Sequence, residues 1–164
     1  MSAVRRRAAP RSPWVSYSDA GAARAVKDMF GQDVVGLELA DPRFYHMDTA
    51  LAPLPGGDVM YLPGAFTATG LAAIRERVAP EERIEIAIDD GRRLAANAVA
   101  VGSTLVMSGC GGRLRAQLAE RGYEVATTPL ASFLRSGGSA FCLTLRLDRR
   151  SVPLAALERD AAVA

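Results

Sequence analysis

The sequence of 164 residues is poor in the side chains that most often do chemistry. It has one histidine, His46, two cysteines, Cys110 and Cys142, and a single lysine, Lys27, among twenty basic residues. Two cysteines cannot build a disulfide framework, and they and the lone histidine lack the spacing of a zinc site. No uninterrupted apolar run reaches the eighteen or so residues that a membrane helix needs. Excess charge is also scarce. Basic and acidic residues number 20 and 18, a formal net charge of +2, which gives no general drive toward nucleic acid or a membrane surface. The start, residues 1–13, is basic through Arg5, Arg6, Arg7 and Arg11, but no apolar stretch follows as it would in a secretory signal. It reads as a disordered leader, and the chain as a whole as a cytoplasmic protein. The preference for arginine over lysine reads as coding bias rather than chemistry.

What is plentiful is apolar. Hydrophobic residues make up 49% and charged residues 23%, a composition that folds rather than stays extended. One domain over residues 14–150 is the simplest division, followed by a tail at 151–164. In that tail Leu154, Leu157 and several alanines suggest a short helix or a frayed end. Ser18 is placed to cap a helix through Phe30, with Ala22, Val26, Met29 and Phe30 on one stripe and Gly31 as its stop. Val34 to Leu39 reads as a strand, and Asp41-Pro42 as a turn. His46 to Pro53 is a second strand, joined by the turn Pro55-Gly56-Gly57-Asp58 to a third at Val59 to Leu62. Pro63-Gly64 ends it. A helix carrying Leu71, Ile74 and Val78 then leads to a strand over Ile84 to Ile88. Asp89-Asp90-Gly91 reads as a turn with solvated carboxylates.

The same order then recurs. Ala98 to Val101 and Thr104 to Met107 are strands about the turn Gly102-Ser103, a helix runs from about Arg113 to Arg121, and Tyr123 to Thr127 is a strand. Strand, turn, strand, helix, strand thus spans His46 to Ile88 and again Ala96 to Thr127. Repetition at a period of roughly 50 residues or less predicts an α/β fold arranged as a toroidal or propeller-like array rather than a doubly wound sheet. The stretch before His46 offers the helix and final strand of a third unit. A last strand, Phe141 to Leu147, has no helix of its own and must pair elsewhere.

Against this frame the scarce residues become candidates. An imidazole moves protons near neutral pH, and an ionised thiol is a strong nucleophile. His46 and Cys142 lie in separate strand-like segments that a fold could bring together. Asp48, two residues from His46, would project to the same face of an extended strand. The plain alternatives are a histidine satisfied by a backbone carbonyl, a cysteine acting as a small apolar side chain, and an Asp48 paired with an arginine. Gly137-Gly138-Ser139 ahead of Cys142 gives a flexible approach whose amides can face a ligand. Asp48 lies among Met47, Ala50, Leu51 and Ala52, where a carboxylate must find a cationic or hydrogen-bonding partner. An arginine and a cationic substrate both qualify. Cys110, in Ser108-Gly109-Cys110-Gly111-Gly112, has no acid or imidazole beside it and reads as incidental. Those glycines make no dinucleotide fingerprint, since Leu114 holds the place of the third. A metal on His46 and Asp48 would want further ligands that the sequence does not supply.

Four segments carry a resemblance: Leu39 to Thr49, Tyr61 to Phe66, Ala95 to Val99, and Gly137 to Leu147. In order and spacing, from about Ser18 to Leu147, the chain resembles the carboxy-terminal portion of the guanidine-modifying superfamily of dimethylargininases, arginine deiminases and amidinotransferases. The resemblance implies a partial pentein fold, an α/β propeller of strand-strand-helix-strand modules of which about two and a half of five are present. It also implies roles. Cys142 would attack the guanidinium carbon of an arginine-like substrate, and His46 would protonate the leaving amine and then activate water. Asp48 would pair with the guanidinium, and Gly138 and Ser139 would line the substrate approach. No metal or organic cofactor is implied. The His-x-Asp-Thr form at 46–49 resembles arginine deiminases and amidinotransferases, whereas the surrounding sequence is similar to bacterial dimethylargininases. The implied function is therefore hydrolysis of arginine or N-methylated arginine to citrulline, with amidino transfer as an alternative. Members of the family are longer and carry further substrate-binding acids in modules this sequence lacks, so a second chain or a homo-oligomer joined at open strand edges would complete the site. A non-catalytic remnant that binds a guanidino ligand or a partner chain is the contrasting reading. A cysteine hydrolase of acyl substrates fits Cys142 and His46 but leaves Asp48 without a task.

Overall fold

The computed structural model of the protein describes residues 21–31, 34–145 and 147. The expected leader at 1–13, the cap Ser18 and the tail at 151–164 lie outside them. Helix α1 (Gly21–Phe30) comes first and ends at Gly31, whose φ of 61° suits a residue without a side chain. Of its expected apolar stripe, Val26 and Phe30 are half-buried and Met29 is exposed.

Two copies of one module follow. In the first, β1 (Leu51–Pro53) and β2 (Val59–Tyr61) pair antiparallel about the turn at 54–58, and helix α2 (Ala68–Arg77) crosses over to β3 (Arg83–Glu85), parallel to β2. In the second, β4 (Val99–Val101), β5 (Thr104–Met107), α4 (Gly112–Glu120) and β6 (Glu124–Thr127) repeat that order and those pairings. The central strands and the crossover helices contribute to one buried apolar core. Met60 and Tyr61 on β2 are fully buried, as are Leu105 and Met107 on β5 and Leu118 on α4. A short helix α3 (Ile88–Arg92) links the modules, and α5 (Ala131–Leu134) follows the second. No helix among the described residues is long and apolar enough to cross a membrane.

Polar contacts staple one module to the other. Asp58, in the β1–β2 turn, accepts from the Tyr123 hydroxyl at 2.7 Å and from Arg121 at 2.6 Å. The Gly56 N–H donates to the Tyr123 oxygen at 3.0 Å, and Arg121 also donates to the carbonyls of Arg83, at 2.9 Å, and Glu81.

Four expected strands are shortened or replaced, each for a local reason. Val34 to Leu39 forms no strand. Its neighbourhood bonds irregularly to the segment before α2, through a single bridge Leu39↔Phe66 and the bonds Ala40 N–H to Ala65 O and Thr67 N–H to Glu38 O. Of His46 to Pro53 only Leu51–Pro53 is strand, because Met47–Thr49 closes into a 3-10 turn. Ile84 to Ile88 stops at Glu85, since its partner β2 ends at Tyr61 ahead of Pro63, which has no N–H to donate. Ile88 instead opens α3, with Asp89 and Asp90 favourably placed in the first turn. Asp90 is therefore not solvated. It is buried and accepts the Gly111 N–H at 2.6 Å, tying α3 to the start of α4. Finally, Phe141–Leu143 is a 3-10 turn, and Thr144 and Leu145 pair with no strand among the described residues.

Candidate active site

The histidine and the acid are presented by one turn. Asp41 accepts from the Arg43 backbone N–H at 3.0 Å and from its guanidinium, which holds the carboxyl below its usual range. Phe44 is buried and anchors the segment, and Tyr45 packs its ring against the His46 imidazole with centroids 4.6 Å apart. Beyond His46, the Thr49 hydroxyl and the Thr49 N–H both donate to the His46 carbonyl, at 2.5 and 3.1 Å. Met47 and Thr49 are buried on one side of this 3-10 turn, so Asp48 between them is only half-buried and faces the other way. The expectation of a shared strand face for His46 and Asp48 is thus corrected: a turn, not a pleat, presents them.

Cys142 lies on the Phe141–Leu143 turn. The loop before it is closed by Gly137 N–H to Leu134 O at 3.0 Å and Gly138 N–H to Phe133 O at 3.2 Å. Its sulfur stands 3.2 Å from Asp48 Oδ2, although the residues are 94 positions apart. Burial of the sulfur, and then its bond to Asp48, push the thiol above its ordinary range, while the Ser139 backbone N–H and Asn97 pull the other way. Gly138 lies against Cys142, and a Cβ there would stand 3.3 Å from the Cys142 Cβ. Ser139 is fully buried, and its hydroxyl has no hydrogen-bond partner among the described residues. His46 lines a cavity of about 350 Å³ together with Asp48, Ala96, Ala98 and Phe141. It is not among the side chains bonded to the sulfur in the described residues; these are Asp48 and Asn97.

Asn97 is the residue that motif reasoning missed. It is fully buried in the loop between α3 and β4, and its amide reaches Asp48, Cys142 and Ser139 at once. A signal existed. An amide within Leu94-Ala95-Ala96-Asn97-Ala98-Val99 must find partners, for the same reason that made Asp48 notable. Cys110 is half-buried, and burial first of all pushes its thiol up, as expected of an unreactive cysteine. Among the described residues no cluster of three or more His, Cys, Asp or Glu could hold a metal.

No protein-family model matches the chain. Individual proteins do. The bifunctional arginine dihydrolase/ornithine cyclodeaminase ArgZ of Synechocystis is 44% identical over 121 residues, covering 74% of this chain and 17% of that protein. The N(G),N(G)-dimethylarginine dimethylaminohydrolase of Mycobacterium tuberculosis is 35% identical over 132 residues, 79% of this chain and 42% of that enzyme. Among solved structures, a variant of the N-terminal domain of ArgZ, covalently bonded to a reaction intermediate, superimposes with a TM-score of 0.81 at 38% identity. That match covers 87% of this chain and 52% of the other.

The chain belongs to the guanidine-modifying superfamily.

It spans about half of the ArgZ domain and less than half of the dimethylargininase. The two strand-strand-helix-strand modules are a partial pentein fold.

Proposed function

We propose that residues 14–150 carry the nucleophile half of a hydrolase site that cleaves a C–N bond in the guanidinium group of arginine or an N-methylated arginine. The observation that carries this reading is the 3.2 Å contact between Cys142 and Asp48 in a member of this superfamily. Alone, an anion beside the sulfur holds the proton on it. A guanidinium bound to Asp48 occupies the carboxylate with its own donors, lifts that brake, and brings its carbon to the sulfur.

The steps then balance with side chains and water alone. The Cys142 proton passes to His46 by way of solvent, the thiolate adds to the guanidinium carbon, and the C–N bond to the leaving amine breaks as His46 gives that nitrogen the proton. A thiouronium-type intermediate remains on Cys142. His46, now neutral, takes a proton from water, whose oxygen adds to the same carbon. Collapse breaks the S–C bond, frees Cys142 and releases citrulline. The leaving group is ammonia from arginine, or the methylated amine from its N-methylated forms. If an amine took the place of water the same site would perform amidino transfer. Gly138 and Ser139 border the thiol in this reading, and Asp48 selects for cations. Support comes from relatives named as an arginine dihydrolase and a dimethylarginine dimethylaminohydrolase, and from the covalent intermediate held by ArgZ.

The other half of the site belongs to further modules, supplied by chain outside these 164 residues, a second polypeptide or a second copy. Leu145 and Leu147, 83% and 85% exposed, offer an apolar segment to such a neighbour. A reducing cytoplasm would keep Cys142 and Cys110 free.

The purified chain should be assayed for citrulline from arginine and from dimethylarginine, alone and mixed with a polypeptide carrying the remaining modules. Turnover that Cys142→Ser abolishes is expected. A folded protein that turns over neither substrate in either setting sinks the hydrolase. Arginine binding with an unreactive Cys142 would point instead to a guanidine-binding remnant, a reading favoured by the neutral resting thiol.

A further inference from the structure

Asn97 has two sides, and the structure dictates which way each faces. Its Oδ1 accepts from the backbone N–H groups of Ser139 and Cys142, both at 3.1 Å. Only the carbonyl end of a carboxamide can accept, so the amide cannot be flipped. The Nδ2 end must therefore face Asp48 Oδ2 at 2.9 Å, the Asp48 carbonyl at 3.3 Å and Cys142 Sγ at 3.1 Å. The main chain adds to the grip, because the Asn97 carbonyl accepts the Phe141 N–H at 3.2 Å.

We propose that Asn97 is a catalytic residue of this site, the donor that holds the ionised sulfur of Cys142 while its carbonyl end fixes the backbone on either side of that sulfur. In the resting site the thiol donates to Asp48 and the sulfur accepts from Asn97. When the proton leaves, the bond to Asp48 turns repulsive and the bond from Asn97 becomes charge-assisted. Asp48 and Asn97 thus act on the sulfur in opposite senses. Among the described residues the charged group facing the sulfur is Asp48, from the 47–49 turn, with His46 on the wall of the adjoining cavity. The loops at 93–98 and 136–140 contribute the Asn97 amide and the Ser139 N–H. The proposal rests on Cys142 being the nucleophile, but it concerns ionisation of the thiol, so it can fail while the hydrolase reading stands, and the reverse.

The test is the pH dependence of Cys142 alkylation by iodoacetamide, in which the thiolate displaces iodide, measured on the full chain with Cys110→Ser as the parent. Asn97→Leu removes the donor without adding charge and should raise the midpoint by about one pH unit or more, a roughly tenfold smaller thiolate fraction below it. Asp48→Asn should lower the midpoint. Mere loosening of the site relieves burial and would lower the midpoint in both variants, so an upward shift is the result that loss of structure cannot produce. An Asn97→Leu midpoint at or below the parent's overturns the proposal. Should that variant not fold, the unmutated chain still decides: the side-chain amide resonance of Asn97 is expected to shift through the Cys142 midpoint by NMR. A resonance that stays still there overturns the proposal equally.

Discussion

At the scale of the residue, the site depends on one close approach and one unusual backbone angle. Gly137 has a φ of 81°, and a Cβ there would overlap the Tyr45 hydroxyl, which donates to the Ser136 carbonyl. An L side chain in that conformation costs about 1–2 kcal/mol. Gly137→Ala is therefore expected to lower the melting temperature and to disturb the loop that delivers Ser139 and Cys142. Circular-dichroism melts and the alkylation rate of Cys142 check this, and an unchanged melt with unchanged alkylation would show that Tyr45 yields freely. Cys142, His46 and Asp48 were legible as candidates because scarce or misplaced side chains stand out in a sequence. Asn97 was legible only in principle. Its partners lie 42 to 49 positions away in the chain, and its apolar flanks say that the amide needs partners but not which.

At the scale of the element, the helices α1, α2 and α4 were more legible than the strands, whereas the short α3 was read as strand and turn and α5 was not read. α2 and α4 each announce themselves by apolar spacing and a local start or stop signal. Thr67 caps α2 by accepting the Gly70 N–H at 3.1 Å, and Gly122 with a φ of 81° follows α4. Thr67→Ala should accordingly cost about 1 kcal/mol, read as a lower urea midpoint with an unchanged slope. The strands failed at their ends, where length is decided by the partner. Ile84, Ile86 and Ile88 alternate in sequence as a five-residue strand would, yet β3 can run only as far as β2 offers acceptors and donors. Ile86 makes one last bond to Tyr61 O, and the chain then turns into α3. The apolar alternation of Phe141, Leu143 and Leu145 reads as a strand for the same reason and finds no ladder among the described residues.

At the scale of the molecule, the two modules act as one body through Asp58, Arg121 and Tyr123. Burial, then the bond to Asp58, push the Tyr123 hydroxyl up to about 12 from an ordinary 10.0. Burial and Glu85 do the same to Tyr61, also to about 12. A raised pKa in the folded chain means that the unfolded chain loses these protons first. The stability they contribute is fully present below pH 10.0, and is lost as pH rises toward about 12. Urea unfolding at a series of alkaline pH values should show this fall. Tyr123→Phe should shrink it and lower stability near neutrality by about 1–2 kcal/mol, because Asp58 loses a donor. A fall of the same size in Tyr123→Phe would assign it to other groups.

The twofold repetition of strand, strand, helix, strand and the scarcity of His46 and Cys142 follow from the sequence by itself, since hydrophobic period, turn residues and composition are local properties. Folding alone decided where Asp48 meets Cys142, that a turn and not a strand presents it, and that one asparagine joins them. Those contacts span 94, 49 and 45 positions of chain. They exist because the packing of β2 and β5 between their neighbours closes those long loops, which no local pattern can encode.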